Sequence, residues 1–107
     1  MSGLADRDCL PCRGGAPPLG GDAVADLLEG LEGWEVVAGH HLAKSYAFED
    51  FAGALAMADR IGALADAQGH HPDLRVAWGS LGVEIWTHKI RGLTESDFIL
   101  AAKIDAL

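Results

Sequence analysis

The helical pattern between Asp50 and Gly69 is the feature of this sequence that most limits its fold. Asp50 is a residue type that caps helix N-termini, and Gly69 suits the left-handed residue that ends a helix. Pro72 follows and cannot continue the helix. The predicted apolar face consists of Phe51, Leu55, Ala58, Ile61 or Gly62, and Ala65. A long amphipathic helix of this kind requires other elements to cover that face.

Strand-like runs lie on both sides of this helix. Before it, two β-favouring runs flank Gly39 in the segment "WEVVAGHHLAKSYAF". After it, Gly79 and Ser80 join "LRVAW" to "LGVEIWTH". A two-residue loop that begins with glycine is typical of a type II′ turn. Each pair of runs therefore predicts a β-hairpin.

Two shorter helical patterns complete the chain. The first begins behind Asp22, which can cap it, and stops near Gly33. The last opens at Thr94, which has capping-box spacing with Asp97. The order helix, two strands, helix, two strands, helix predicts an α+β two-layer sandwich, with a four-stranded antiparallel sheet and three helices on one face. Because the edges of an open sheet are often paired between copies, we also expect a symmetric oligomer.

Length limits the domain count. A chain of 107 residues is enough for one domain with a single modest core. Residues 1–20 concentrate proline and glycine and are expected to form an extended N-terminal lead-in, so residues 21–107 are expected to form the domain.

The net charge of −8 excludes several partners. An acidic surface repels phosphate backbones and anionic lipid headgroups, so binding to nucleic acid or to a membrane is not expected. No apolar run approaches the roughly 20 residues that span a bilayer, and the first residues lack the pattern of a secretory signal. We therefore expect a cytoplasmic protein.

His70 and His71 stand at the corner between the long helix and the next strand. Pro72 fixes the backbone beside them, so their side chains are pre-positioned. Histidine can take up or release a proton near neutral pH. Two interpretations stay open: the pair carries acid–base chemistry with Asp66 nearby, or His70 caps the helix and His71 is a surface residue.

His88 and Asp97 are weaker candidates when each is taken alone. His88 closes the last strand as a polar terminus, and Asp97 has an ordinary role in the capping box. Strand alternation places His88 with Glu84 and Trp86. His88 therefore has to lie at or beyond the strand end to reach His70.

A metal site is not expected. His70 and His71 are adjacent and point in different directions, whereas ligands on one element usually lie two to four residues apart. Cys9 and Cys12 supply too few ligands for a closed zinc site. Their setting between prolines also lacks the context of a redox motif, so their role is expected to be structural or incidental.

The remaining motifs exclude other chemistries. His40 and His41 have no acid or cysteine at ligand spacing and are expected to be solvated turn residues. The sequence has no glycine-rich phosphate loop and no Gly-x-Ser-x-Gly elbow, so nothing supports a nucleotide cofactor or a serine hydrolase.

The spacing of the candidate residues resembles that of the pterin-4a-carbinolamine dehydratase family. The family pattern comprises an acidic residue, His-His-Pro, an aromatic residue, a histidine and an aspartate. In this chain the pattern is met by Asp66, His70, His71, Pro72, Trp78, His88 and Asp97. The likeness includes "YAFEDF" and "GLTESD" and covers nearly all of the chain beyond about residue 20. The segment "CLPCRGGAPPL" also resembles the lead-in of bacterial and plant relatives.

The resemblance implies a cofactor-free enzyme that dehydrates 4a-hydroxytetrahydropterin to quinonoid dihydropterin in pterin recycling. It also implies assembly into homodimers or homotetramers. His70 and His88 are then the acid–base pair, His71 binds or polarises the pterin, and Asp97 orients a histidine or holds its charged form. The residues expected at the substrate are Asp66, Pro72, Trp78 and Asp97.

Leu74 departs from the family pattern. Many members carry an aromatic residue there, which can lie against the pterin ring, so the physiological pterin stays open. Two alternative functions also stay open. One is a non-catalytic dimerisation or stabilising partner, because a relative in animals serves a homeodomain transcription factor in this way. The other is a related dehydratase-like step in molybdopterin metabolism.

Overall fold

The helices and strands follow the predicted order. The computed structural model describes residues 4–6, 9 and 18–107. The helices are α1 (Gly21–Leu28), α2 (Phe51–Gln68) and α3 (Glu95–Asp105). The strands are β1 (Glu35–Val37), β2 (His41–Ala47), β3 (Asp73–Ala77) and β4 (Ser80–Ile85). Short 3-10 helices lie at Leu4–Asp6 and His88–Ile90. The predicted α+β sandwich is confirmed.

The four strands form one antiparallel sheet in the order β1-β2-β4-β3. The two hairpins are joined by pairing between β2 and β4, in which Leu42 lies opposite Ile85 and Tyr46 lies opposite Leu81. This pairing leaves β1 and β3 as the edges of the sheet, and it brings the end of β4 beside the start of β2.

The core lies between one face of the sheet and the helices. The central strands contribute side chains that are at most 1% exposed, namely Leu42, Leu81, Val83 and Ile85. Helix α3 is buried on most of its surface through Phe98, Ile99, Leu100, Ala101 and Ile104. Full burial of one such large side chain contributes about 1.5–3 kcal/mol, so the buried side chains of α3 contribute substantially to the stability of the fold.

Helix α2 has the predicted ends but a different buried face. Asp50 accepts a hydrogen bond from the Gly53 backbone N–H at 2.8 Å, and Gly69 ends the helix with φ +65°, as predicted. The predicted face was wrong at its first turns, because Phe51 and Leu55 are 45% and 52% exposed. The buried positions are Ala54, Ile61 and Ala65. Small residues at two of these three positions let the helix approach its neighbours closely.

Two local predictions were also wrong. Helix α1 is capped by Gly20 and not by Asp22, because Gly20 is extended and its carbonyl accepts from Val24 N at 3.0 Å. The loop between β3 and β4 is Trp78–Gly79, since Ala77 pairs with Ser80. Its positive φ (+79°) falls on the second loop residue, which excludes the type II′ turn.

The described part of the lead-in contacts the domain. Residues 4–6 form a 3-10 helix, so the prediction that the lead-in is extended is wrong there, and the Ala5 carbonyl accepts from Lys103 Nζ at 2.8 Å. Leu19 N donates to Leu93 O at 2.8 Å. A Cβ built on the buried Gly92 would lie 2.7 Å from the Pro18 side chain, so this approach requires glycine. Cys12 lies outside the described residues.

No helix in residues 4–6, 9 and 18–107 combines the length and the hydropathy needed to span a bilayer.

Asp105 connects the end of α3 to the first hairpin. Its carboxylate accepts hydrogen bonds from Trp34 Nε1 at 2.9 Å, Lys44 Nζ at 2.8 Å and Tyr46 Oη at 2.5 Å. The Lys44 ammonium also lies over the rings of Trp34 and Tyr46. Burial, together with the hydrogen bond to Asp105, raises the pKa of Tyr46 far above its ordinary value of 10.0.

Replacing Asp105 is expected to loosen this connection. We expect Asp105→Ala to lower the free energy of unfolding by about 1–3 kcal/mol, because three donors lose their shared acceptor. Urea denaturation measures the change. Asp26→Ala, an exposed carboxylate on α1, is the control and should stay within about 0.5 kcal/mol of the native chain. Equal stability of both variants would contradict the role given to Asp105.

The same cluster predicts a pH dependence. Tyr46 is the chain's single tyrosine, so tyrosinate absorbance reports it alone. Because its folded pKa is raised, the stabilisation is complete below the unfolded pKa, near pH 10, and is lost as the pH rises above it. Ionisation of Tyr46 in the folded chain should therefore begin only above about pH 10. Asp105→Ala should lower the pH at which this ionisation begins.

Candidate active site

The corner after α2 places His70 against the start of α3. Gly69 reverses the chain, and His70 N donates to the Ala65 carbonyl at 3.2 Å, which ties the corner to the last turn of the helix. The His70 side chain is only 10% exposed, and its Nε2 lies 2.5 Å from Asp97 Oδ1. The corner therefore holds this imidazole in one orientation.

Asp97 is the fully buried partner of His70, with 0% exposure. Its second oxygen, Oδ2, accepts from Thr87 Oγ1 and from Thr94 N, both at 2.8 Å. The contact with Thr94 belongs to the predicted capping box of α3, which is confirmed. Thr87 Oγ1 also lies 2.8 Å from Thr94 Oγ1. A buried carboxylate is tolerated only with such partners, and here they also fix its direction.

The carboxylate determines which nitrogen of His70 can exchange a proton. An ionised carboxylate only accepts hydrogen bonds, so the Nε2 of His70 carries a hydrogen and donates it to Asp97. Nδ1 has no hydrogen-bond partner among residues 4–6, 9 and 18–107. It is therefore the nitrogen left to bind or release a proton, in the manner of a histidine oriented by a carboxylate in a catalytic triad.

His71 pairs with the other carboxylate of the corner. Its Nε2 lies 2.9 Å from Asp66 Oδ1, and the two side chains are 59% and 82% exposed. An exposed pair of this kind contributes little to stability, about 0–1 kcal/mol. Asp66 therefore orients His71. His70 is oriented instead by Asp97, which lies on α3.

His88 reaches the same region from the end of the second hairpin. Strand β4 ends at Ile85, and His88 begins the 3-10 helix that follows, which confirms that it lies beyond the strand. Thr87 N donates to the Gly92 carbonyl at 2.9 Å, so the chain folds back on itself there. The exposed His88 ring packs edge-on against Trp86, with centroids 4.3 Å apart.

One cavity of about 350 Å³ brings the three predicted histidines together. One side is formed by His70 and His71. The other side is formed by Trp86, Thr87, His88 and Lys89. Its volume is in the range of small-molecule sites.

A larger hollow of about 470 Å³ lies on the open face of the sheet. Small residues such as Ala43, Ser45 and Gly82 line its floor, and no histidine lines it. We assign the site to the smaller cavity, because three histidines line it and one of them, His70, is held by a buried, fully hydrogen-bonded carboxylate.

The other residues that were predicted to contact the substrate do not line the smaller cavity. Pro72 does not line the cavity and lies directly before β3. Trp78 is 75% exposed in the loop at the far end of β3. Five strand residues at roughly 3.3 Å each separate it from the corner. Within one chain, Trp78 is therefore not beside the histidines, contrary to expectation. Leu74 is half-buried and packs against the core.

Sequence reasoning missed the residues that support the site. Thr87 was not singled out as a partner of the Asp97 carboxylate, although alternation places it on the same side of the chain as the buried Val83 and Ile85. His40 and His41 are not solvated turn residues: both are half-buried and pack against Trp86. The register of β2 with β4 brings them there, and the sequence alone does not reveal that register.

The groups around the cavity can transfer protons. No group of three or more His, Cys, Asp or Glu side chains in the described ranges is arranged to hold a metal ion. The described residues thus form a small α+β sandwich in which a histidine bound to a buried carboxylate shares one cavity with two further histidines.

Comparison with known proteins identifies the family to which the chain belongs. The family model for pterin 4 alpha carbinolamine dehydratase matches residues 17–107. A Rubrobacter xylanophilus protein provisionally named pterin-4-alpha-carbinolamine dehydratase is 51% identical over 107 residues, covering 100% of both chains. A Rickettsia bellii protein with the same provisional name is 54% identical over 105 residues, 97% of this chain and 93% of its own. The chain belongs to the pterin-4a-carbinolamine dehydratase family.

Solved structures share the fold. The crystal structure of a transcriptional coactivator/pterin dehydratase from Brucella melitensis has a TM-score of 0.78 and 30% identity, covering 83% of this chain and 96% of that one. A pterin dehydratase-like protein identified as a RuBisCO assembly factor has a TM-score of 0.60 and 23% identity, covering 70% and 88%. The second comparison supports the fold alone.

Asp97→Asn tests the assignment of the His70 tautomer. Because Thr94 N–H faces Oδ2, the new amide group is expected to place its NH₂ toward His70, which then protonates Nδ1 and accepts at Nε2. ¹⁵N NMR of the imidazole ring reports the tautomer directly. We expect the switch together with a stability loss of about 1–3 kcal/mol. Asp66→Asn, the matched change beside His71, should leave the His70 tautomer unchanged. A native tautomer in Asp97→Asn would disprove the assignment.

Proposed function

We propose that this protein dehydrates a 4a-hydroxytetrahydropterin to the quinonoid dihydropterin. The observation that carries the proposal is one cavity that holds His70, oriented by the buried Asp97, opposite His88. Membership of the pterin-4a-carbinolamine dehydratase family supports the substrate class.

The reaction needs one proton donor and one proton acceptor. The bond between C4a and its hydroxyl breaks as that oxygen gains a proton and leaves as water. The N5–H proton passes to a base, and the electron pair left on N5 forms the double bond to C4a. The proton taken from N5 balances the proton given to the leaving oxygen, so the step needs no oxidant, reductant or cofactor.

In this proposal His70 takes the N5 proton through Nδ1. Asp97 supports this role, because a carboxylate bound to Nε2 stabilises the imidazolium that forms. His88 protonates the leaving hydroxyl and, being exposed, regains its proton from solvent. His71 lines the cavity beside them and binds or polarises the pterin, with Asp66 orienting its ring.

A non-catalytic role is the second candidate. The Brucella melitensis protein is described both as a transcriptional coactivator and as a pterin dehydratase. Under that alternative the histidine pair is not needed for function. A dehydratase-like step in molybdopterin metabolism also stays open, and no contact in the described residues favours it.

Alanine at either histidine is expected to remove most of the catalysis. His70→Ala and His88→Ala should each lower kcat by about 10²–10⁴, the usual contribution of a positioned acid or base. Stopped-flow absorbance measures the dehydration of a 4a-hydroxypterin, and circular dichroism checks that each variant is folded. Asp59→Ala, on the exposed side of α2, is the control. Full activity in either histidine variant would remove the assignment, and a native chain no faster than the uncatalysed reaction would favour the non-catalytic role.

We further propose that the protein forms a homodimer or homotetramer in solution. The outer edges of β1 and β3 have no partner strand in the described part of the chain, and Phe51, Leu55 and Trp78 are exposed large apolar side chains. Such edges and apolar surfaces are commonly covered between copies. Sedimentation velocity should show a species larger than the monomer of 11.2 kDa, and a monomer at all concentrations would refute this.

A further inference from the structure

Trp86 is the aromatic wall of the candidate site. Within the cavity lining it is the large apolar ring, and it stands on the same side as His88. The side chain is half-buried, so one part of the ring is packed while another part borders the cavity.

Three histidine rings hold Trp86 in place. His88 packs edge-on at 4.3 Å between centroids, His40 lies at 5.3 Å with its plane tilted by 44°, and His41 lies at 5.9 Å. All three distances are within or just below the range of attractive ring contacts. Rotating the indole would break several of these contacts at once, so the wall is pre-organised.

His40 and His41 are themselves ordered by polar contacts. Their Nδ1 atoms lie 3.1 Å apart, so one ring donates to the other. Glu84 Oε2 lies 3.3 Å from His41 Nε2, which favours a hydrogen on that nitrogen and leaves His41 Nδ1 as the acceptor. His40 is therefore the donor. This pair forms a fixed support behind Trp86.

A flat bicyclic ligand benefits from an aromatic wall. Stacking of a heterocyclic base on an aromatic side chain contributes about 1–3 kcal/mol. Leu74, in the position where an aromatic residue is expected in the family, instead packs against the core. Trp86 is the side chain of the described cavity that can supply such a surface.

We propose that Trp86 binds the pterin ring directly, and that His40 and His41 are positioning residues that act through Trp86. The proposal rests on the proposed function for its ligand class, a reduced pterin. It assigns ligand recognition to the end of the second hairpin, where Trp86 lies, as well as to the corner after α2.

Binding of 7,8-dihydropterin tests the role of Trp86 without turnover. Isothermal titration calorimetry should show that Trp86→Ala raises Kd by about 5- to 150-fold, and Trp86→Phe by less. Quenching of tryptophan fluorescence by the bound pterin should decrease more in Trp86→Phe than in Trp78→Phe, because Trp78 lies outside the cavity.

The positioning residues need a different readout. His40→Ala and His41→Ala should each raise KM by about 2- to 10-fold, the usual effect of losing one aromatic contact, with a smaller change in kcat. His40→Phe should restore KM, since it keeps the ring contact. A merely structural role would reduce the amount of folded protein and leave the KM of the folded fraction unchanged.

The outcomes separate this proposal from the proposed function. If the native chain binds 7,8-dihydropterin and Trp86→Ala binds it equally well, the assignment of Trp86 is wrong while the dehydratase function stands. An unchanged Kd with a lower kcat in Trp86→Ala would mean that Trp86 only supports His88, which also overturns it. If the native chain neither binds nor converts a reduced pterin, the proposed function fails first.

Discussion

The contacts of the Asp97 carboxylate are the constraint on which the site depends. One oxygen holds His70, and the other accepts from Thr87 and Thr94. These contacts tie together the corner after α2, the end of β4 and the first turn of α3. A carboxylate with no exposure needs such donors in place of water, and here one donor comes from helix capping and the others from residues that packing brings together.

Much of the fold follows from local sequence signals. The order of elements, the ends of α2 at Asp50 and Gly69, and the capping box of α3 all depend on residues close together in the chain, where capping and turn chemistry act. The meeting of His70 with His88 was predicted through the resemblance to a family and not through periodicity. The buried face of α2 was mispredicted, because Ala54 packs inward while the larger Phe51 and Leu55 are exposed.

The missed parts of the site depend on strand register. The pairing of Leu42 with Ile85 brings the first hairpin beside the end of the second, and this gives Trp86 its histidine neighbours. Register reflects the summed packing of both strands, which a pattern within either strand does not contain. Trp78 shows the reverse case, since it fits the spacing of a motif but lies at the other end of its strand.

The close approach of Pro18 to Gly92 has a practical consequence for anyone who trims this protein. Leu19 extends the same contact through its hydrogen bond to Leu93, so the segment before α1 braces the stretch of chain that leads from His88 to Asp97. A shortened version starting at residue 21 would lose that brace and also the Gly20 cap of α1. Recombinant protein, with or without an N-terminal tag, should therefore retain the segment before α1.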